Sequence, residues 1–259
     1  MVQTAIWAHR GSSTKYIENT IQAFEEAIAD LADGIELDVQ RTKDGQLVVY
    51  HDERLKRLTG VDKFLWQLNW TELQALDLHS LNEEAKIPLL KDVLELMQDT
   101  DLIVNIELKN SLNFYPGMEA EVVNLVREMG MLDHVLFSSF NHESMHEMAE
   151  LVGPERCAIL TSDVQFNPWA YARDVGVGVL HPMVNSLQQA GYVEESHRQG
   201  FKVNIWTADE EVHIYAALLL GVDAIMTNEP EKAVRLREQF QADGGQMALE
   251  TIQEIGLFL

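Results

Sequence analysis

A single cysteine, Cys157, stands in 259 residues, so an intrachain disulfide is ruled out and the chain fits a reducing compartment. Long apolar runs are missing as well: none reaches the about 18 residues a membrane-crossing helix requires. The opening MVQTAIWAHRG has no basic start followed by an apolar core, and therefore no sign of a secretory leader. Positive charge is scarce, with 19 Lys and Arg against 42 Asp and Glu and a formal net charge of −23. So acidic a surface repels nucleic acid and anionic lipid headgroups. An anionic ligand would need a locally positive pocket, built from a cation or a few well-placed Arg and Lys. These absences predict a soluble, cytoplasmic protein with no integral membrane segment and no nucleic-acid partner.

What is present is alternation. Short apolar runs rich in β-branched residues alternate with stretches of helical period, the pattern of βα units around a parallel sheet. The runs predict strands at residues 5–9, 34–39, 102–109, 134–140, 156–161, 178–181, 202–207 and 223–227. Helices are predicted at 18–30, 90–97, 118–129, 143–151, 168–174, 187–199, 210–220 and 231–239. Gly130, Gly153, Gly176, Gly200 and Gly221 follow helical runs, where left-handed caps belong. Asn141 and Asp209 stand at N-cap positions, and Glu18 with Asn19, which open the first helix, are candidates either for its cap or for the site. Eight strands and eight helices in one chain of this length predict an α/β fold, a (β/α)8 TIM barrel in a single domain spanning residues 1–240.

The run 47–52, LVVYHD, breaks the alternation, because only Lys43-Asp44-Gly45-Gln46 separates it from the preceding strand. Asp-Gly is a strong hairpin signal, so an extra strand is expected to return antiparallel. A two-residue Asp44-Gly45 loop places Asp38 opposite His51 and on the same face. Residues 53–88 follow without a clean period and predict a small insertion at the barrel mouth, with one short helix at 71–76. Residues 241–259 form a C-terminal extension expected to pack on the barrel or a partner.

Active-site groups of this fold project from the C-terminal ends of the strands. Residues two apart in a strand share a side, so Glu36 with Asp38, and Glu107 with Lys109, form inward pairs. Three carboxylates, Glu36, Asp38 and Glu107, meeting at one mouth repel each other unless a cation lies between them. Ligation by oxygen alone suits a hard divalent ion, Mg2+ or Ca2+. His9 and His51 flank that cluster as an acid–base pair. Arg10 and Lys109 supply charge for a phosphate. Trp206 has inward parity, and with Phe140 it can stack on the carbon skeleton of a substrate. His181 also ends a strand, and a satisfied structural role is expected of it. Each element alone is common; their convergence on successive strand ends is what points to phosphoryl chemistry.

The strings AHRG…ENT, GIELDV, DGQLVVYHD, IPLL, NIELK, SSF, VNIWTAD and GVDAIMTNEP, running in that order from Ala8 to Pro230, resemble the glycerophosphodiester phosphodiesterases. The resemblance implies metal-dependent hydrolysis of a small glycerophosphodiester to an alcohol and sn-glycerol 3-phosphate. It implies His9 and His51 as the acid–base pair, Glu36, Asp38 and Glu107 as metal ligands, and Arg10 and Lys109 as phosphate contacts. Two alternatives stay open at this point: a lysophospholipase D-type activity on a lipid, or a phosphodiester-binding barrel without catalysis. The acidic surface and the lack of an exposed amphipathic segment weigh against the first, and the complete set of histidines and carboxylates against the second.

Overall fold

The computed structural model describes residues 4–80 and 83–256. Its first units are β1 (Ala5–His9), α1 (Ile21–Ala29) and β2 (Gly34–Arg41), followed by the hairpin strand β3 (Leu47–Val49). A cap comes next, comprising α2 (Lys56–Thr59), a 3-10 turn (Leu65–Gln67), α3 (Trp70–Gln74) and a ribbon of β4 (Leu78–Ser80) and β5 (Glu83–Ala85). Then α4 (Leu90–Met97), β6 (Ile103–Leu108), α5 (Met118–Glu128), β7 (Val135–Ser139) and α6 (His142–Val152) resume the alternation. It continues through β8 (Cys157–Thr161), α7 (Pro168–Val175), β9 (Val179–Pro182), α8 (Tyr192–Arg198) and β10 (Lys202–Ile205). The last units are α9 (Glu211–Leu220), β11 (Ala224–Thr227), α10 (Pro230–Asp243) and α11 (Gln246–Ile255).

Eight parallel strands close into the expected ring, in the order β1-β11-β10-β9-β8-β7-β6-β2, and β1 pairs with β2 to shut it. Strand parity explains the packing. Outward residues such as Ile35, Leu37, Ile106 and Phe137 are buried under the helices of one half, and Ile6, Val203, Ile205 and Ile225 under those of the other. Inward residues include a polar set, in which Asn105 Nδ2 donates to Ser138 Oγ at 3.0 Å and Asn204 Nδ2 meets His181 Nε2 at 2.9 Å. His181 is wholly buried, and burial pushes its pKa down to about 3, so it is a neutral core residue; of the satisfied role expected, only Nε2 finds a partner, Asn204, while Nδ1 has none.

Strand β2 outruns β1, which pairs only with residues 34–36 of it, and β3 takes the free edge beyond. The antiparallel hairpin is as expected, but its register is not. Val39 faces Val49 and Thr42 N donates to Gln46 O, so the loop has three residues, 43–45, with Gly45 at φ 88°. Asp38 therefore opposes Tyr50, whose N–H donates to the Asp38 carbonyl at 2.9 Å, and not His51. The cap has its own apolar core, with Val48, Tyr50, Leu55, Leu65 and Leu73 buried together.

Other expectations are corrected. The helix expected at 187–199 divides into a 3-10 turn (Val184–Gln188) and α8, broken at Gly191 with φ 73°. Helix α1 is capped by Thr20, not by Glu18 or Asn19, and α9 by Glu210, not Asp209. Helix α10 runs to Asp243, past the expected boundary, and α11 packs against α9 with Ala248 and Ile252 in the core. Residues 257–259 of the extension lie outside the described residues.

Candidate active site

Strands β2 and β6 bring three carboxylates together. One oxygen each from Glu36, Asp38 and Glu107 lies within 4.8 Å of the others, and all three residues are buried. Glu36 and Glu107 line the pocket at the mouth with His9, Arg10, His51, Asn105, Lys109, Phe140 and Trp206, while Asp38 is wholly buried. All nine site residues expected from the sequence are therefore gathered here.

Their electrostatics is that of an anion cluster held in place by cations. Arg10 Nε stands 3.2 Å from Asp38 Oδ2, Lys109 Nζ 2.9 Å from Glu107 Oε1 and 3.7 Å from Asp38 Oδ1. Burial alone would raise the Asp38 carboxyl, but Arg10 and Lys109 overcome it and hold it well below the usual range. Glu36 is driven well above its ordinary pKa by burial first, then by Asp38 and Glu107. Glu107 is raised by burial, which Lys109 only partly offsets. Glu36 Oε1 and Asp38 Oδ1 are both buried without a hydrogen-bond partner. Buried carboxylate oxygens left without a hydrogen bond are costly, and a hard cation satisfies them. The residues fit such an ion.

The two histidines are oriented by different partners. Asp209 accepts from Asn228 N at 2.8 Å and from Asn228 Nδ2 at 2.6 Å, which leaves Asn228 Oδ1 to accept from His9 Nδ1 at 2.8 Å. His9 thus carries its proton on Nδ1, and Nε2 lies 3.8 Å from Glu36. Burial, with Arg10 second, lowers its pKa to about 4, a value that belongs to a neutral imidazole. His51 Nδ1 donates to Asp52 Oδ1 at 2.7 Å. It reaches the pocket because Gln40, buried on β2, donates from one amide to the carbonyls of Tyr50, His51 and Asp52 (2.8, 3.3 and 2.9 Å), curling the chain as β3 ends.

A charged chain links the two sides. Arg57 of the cap donates to Asp52 (2.6 and 3.2 Å) and to Glu18 (3.0 and 2.7 Å), and Glu18 accepts from Arg10 at 3.0 Å. Asn19 donates to Asp38 at 2.8 Å. Of the two roles open to Glu18 and Asn19, cap or site, the structure gives them the second, and Asp52, Arg57, Gln40, Asp209 and Asn228 also support the site. Among them Asn228 follows a predicted strand and Asp209 stands at a predicted N-cap, whereas Gln40 and Arg57 carried no signal of their own in the sequence. Arg10 adopts φ 59°, and Gly11 follows at φ 81° where a Cβ would lie 2.6 Å from the Ala23 carbonyl carbon. This tight turn brings α1 against the mouth. Trp206 is anchored through Nε1 to the His181 carbonyl at 2.8 Å and meets Phe140 edge-on at 5.5 Å, forming an aromatic wall.

Barrel hydrolases of phosphate esters carry their charge and their proton-transfer groups at this end of the strands, and this mouth places the chain in that class. Comparison with known proteins narrows the class to one family. The model of the glycerophosphoryl diester phosphodiesterase family matches residues 9–232, and the chain belongs to that family. It is 40% identical over 247 residues to a glycerophosphodiester phosphodiesterase of Bacillus altitudinis, covering 92% of this chain and 100% of the relative. A protein of the same description from Caldanaerobacter subterraneus subsp. tengcongensis is 36% identical, with 91% and 98% covered. Among solved structures, an Oleispira antarctica phosphodiesterase in complex with the product sn-glycerol-3-phosphate superposes with a TM-score of 0.80 at 26% identity, covering 91% of this chain and 97% of that one.

Proposed function

We propose that this chain hydrolyses glycerophosphodiesters to an alcohol and sn-glycerol 3-phosphate, with the reaction run at the β1–β2–β6 mouth. The observation that carries the reading is the set of unpartnered oxygens on Glu36 and Asp38, buried between two oriented histidines and two cations. Glu36, Asp38 and Glu107 would hold a divalent ion, Mg2+ or Ca2+, which when bound supplies positive charge against the phosphodiester.

The remaining roles belong to the chain itself. Arg10 and Lys109 bind phosphate oxygens. His9, neutral and with its Nδ1 proton committed to Asn228, has Nε2 free to accept a proton. His51, held at Nδ1 by Asp52, presents its other nitrogen to the leaving oxygen. Such proton transfers contribute on the order of 10²–10⁴-fold. Trp206 and Phe140 form the wall against which the glycerol carbons pack. We read residues 1–240 as one catalytic domain with 53–88 as its cap. No helix among the described residues is long and apolar enough to cross a membrane, and the lone buried cysteine supports assignment to the cytoplasm.

Product analysis on glycerophosphocholine tests the reading. Choline and sn-glycerol 3-phosphate should appear, a chelator should abolish turnover, and Mg2+ or Ca2+ should restore it. Full turnover in a metal-free preparation would remove the ion from the site, and absence of sn-glycerol 3-phosphate would overturn the activity.

A further inference from the structure

In an extended strand neighbouring carbonyls point to opposite edges. Those of Tyr50, His51 and Asp52 instead converge on the side-chain amide of Gln40, at 2.8, 3.3 and 2.9 Å. Converging carbonyl dipoles repel, and one Nε2 with its two hydrogens holds them together. The turn that aims His51 therefore depends on which end of the Gln40 amide faces the chain. Gln40 is wholly buried on β2, so solvent cannot orient that amide. Its orientation comes from the other end, where Tyr115 Oη donates to Gln40 Oε1 at 3.3 Å.

Tyr115 is itself held from several sides. It lies in the loop 109–117 between β6 and α5, and only 3% of it is exposed. Trp66 of the cap meets its ring edge-on at 6.3 Å, and the Arg41 guanidinium lies 5.7 Å over its face. Arg41 also donates to the Pro116 carbonyl at 3.2 Å. The start of the loop is as firmly anchored. Lys109 N donates to the Val39 carbonyl at 3.0 Å. Asn110, wholly buried, donates to Glu119 and Ser144 (3.0 and 2.8 Å) and accepts from Ser139 at 2.9 Å. One anchored loop thus begins at the proposed phosphate contact, Lys109, and ends beside the amide that shapes the His51 turn.

We propose that Tyr115 is a positioning residue for His51, acting through Gln40. Tyr115 is not among the residues that line the pocket. Its phenol fixes the acceptor end of the amide, the donor end gathers three carbonyls, and the carbonyls set the direction of the imidazole. Without the phenol oxygen, Gln40 Oε1 becomes a buried acceptor with no donor, a state costly enough to turn or shift the amide. A turned amide sets Oε1 against three carbonyl oxygens, so the carbonyls part and His51 loses its aim. The inference rests on the proposed function for one point, that His51 gives its proton to the leaving oxygen.

Tyr115→Phe removes one oxygen and keeps the ring in place, so the fold should persist. On glycerophosphocholine its kcat should fall about 10-fold with KM within about 2-fold of wild type, because a misdirected acid costs rate rather than binding. A nitrophenyl diester of glycerol phosphate, whose leaving oxygen needs little protonation, should lose at most about 2-fold. The His51 imidazole resonances should shift in the same variant. Tyr215→Phe, which removes a tyrosine–glutamine contact of 3.5 Å on α9, should change neither rate nor resonances. An unchanged kcat, unmoved His51 resonances, or an equal loss in Tyr215→Phe would overturn the proposal. An equal loss on both substrates with the His51 resonances shifted would keep Tyr115 as a positioning residue and take the acid role away from His51.

Discussion

Arg57 grips Asp52 with two hydrogen bonds, of 2.6 and 3.2 Å, although one residue belongs to the cap and the other follows the strand that delivers His51. The Asp52 carboxyl is held low by His51 and Arg57 against the effect of burial. The cap therefore helps to aim a catalytic candidate. Arg57→Met should lower kcat about 10-fold with little change in KM, and Arg57→Lys should recover part of the loss. Steady-state kinetics on glycerophosphocholine decides it: an unchanged kcat would leave Arg57 a surface ion pair.

His9→Ala and His51→Ala should each reduce turnover by about 10²-fold or more while the fold persists. His181→Gln should cost far less, because His181 is bound within the barrel interior. Circular dichroism and turnover measured together check this. A loss in His181→Gln equal to the other two would mean that the wrong pair has been assigned.

His181 also has a signature in acid. Its pKa falls to about 3 in the fold because of burial, against about 6.5 in the unfolded chain. Below pH 6.5 the unfolded state takes up a proton that the folded state refuses, so stability drops as the pH falls towards 3. In His181→Gln that contribution is gone. The stability difference between variant and wild type should shift in the variant's favour by up to about 1.4 kcal/mol per pH unit. Urea unfolding at pH 7, 5 and 4 measures it, and a difference independent of pH would contradict a buried neutral imidazole.

Phe64 and Trp66 stack at 4.4 Å on the cap, and Arg54 lies 4.2 Å over Phe64. If this corner bounds the leaving alcohol, Phe64→Ala should reorder preference among choline, ethanolamine and glycerol diesters. Affinity for sn-glycerol 3-phosphate should stay as it was, because its contacts come from the barrel. Competition kinetics on the three diesters reads the outcome. A parallel loss on all three would make the stack purely structural.

The strands, their inward parity and the nine residues of the mouth were legible because alternation and strand-end position are local properties. The hairpin register was not. Thr42 Oγ1 accepts from Gln46 N and donates to Asp44 Oδ1, which in turn accepts from Trp70 N on the cap. These contacts select a three-residue loop, and a contact 26 residues away cannot be read from Asp-Gly alone. His51 reaches the pocket all the same, through the Gln40 amide, a buried side chain whose three acceptors lie ten or more residues ahead. Likewise Glu18 and Asn19 have the composition of helix caps as well as of site residues, and the choice between the two is made by Arg10, Arg57 and Asp38, which outcompete the local backbone for them. What escaped the sequence reading was pairing between polar groups remote in the chain.

His9 and the Asn228 that orients it are 219 residues apart and meet where β1 closes against β11. Arg237 fastens the same seam by bonding the Thr4 carbonyl and Asp33. A chain still being synthesised possesses His9, both acidic strands and the cap long before it possesses Asn228. It should therefore remain catalytically silent through nearly all of its translation, because the last strand to emerge is the one that completes the first histidine.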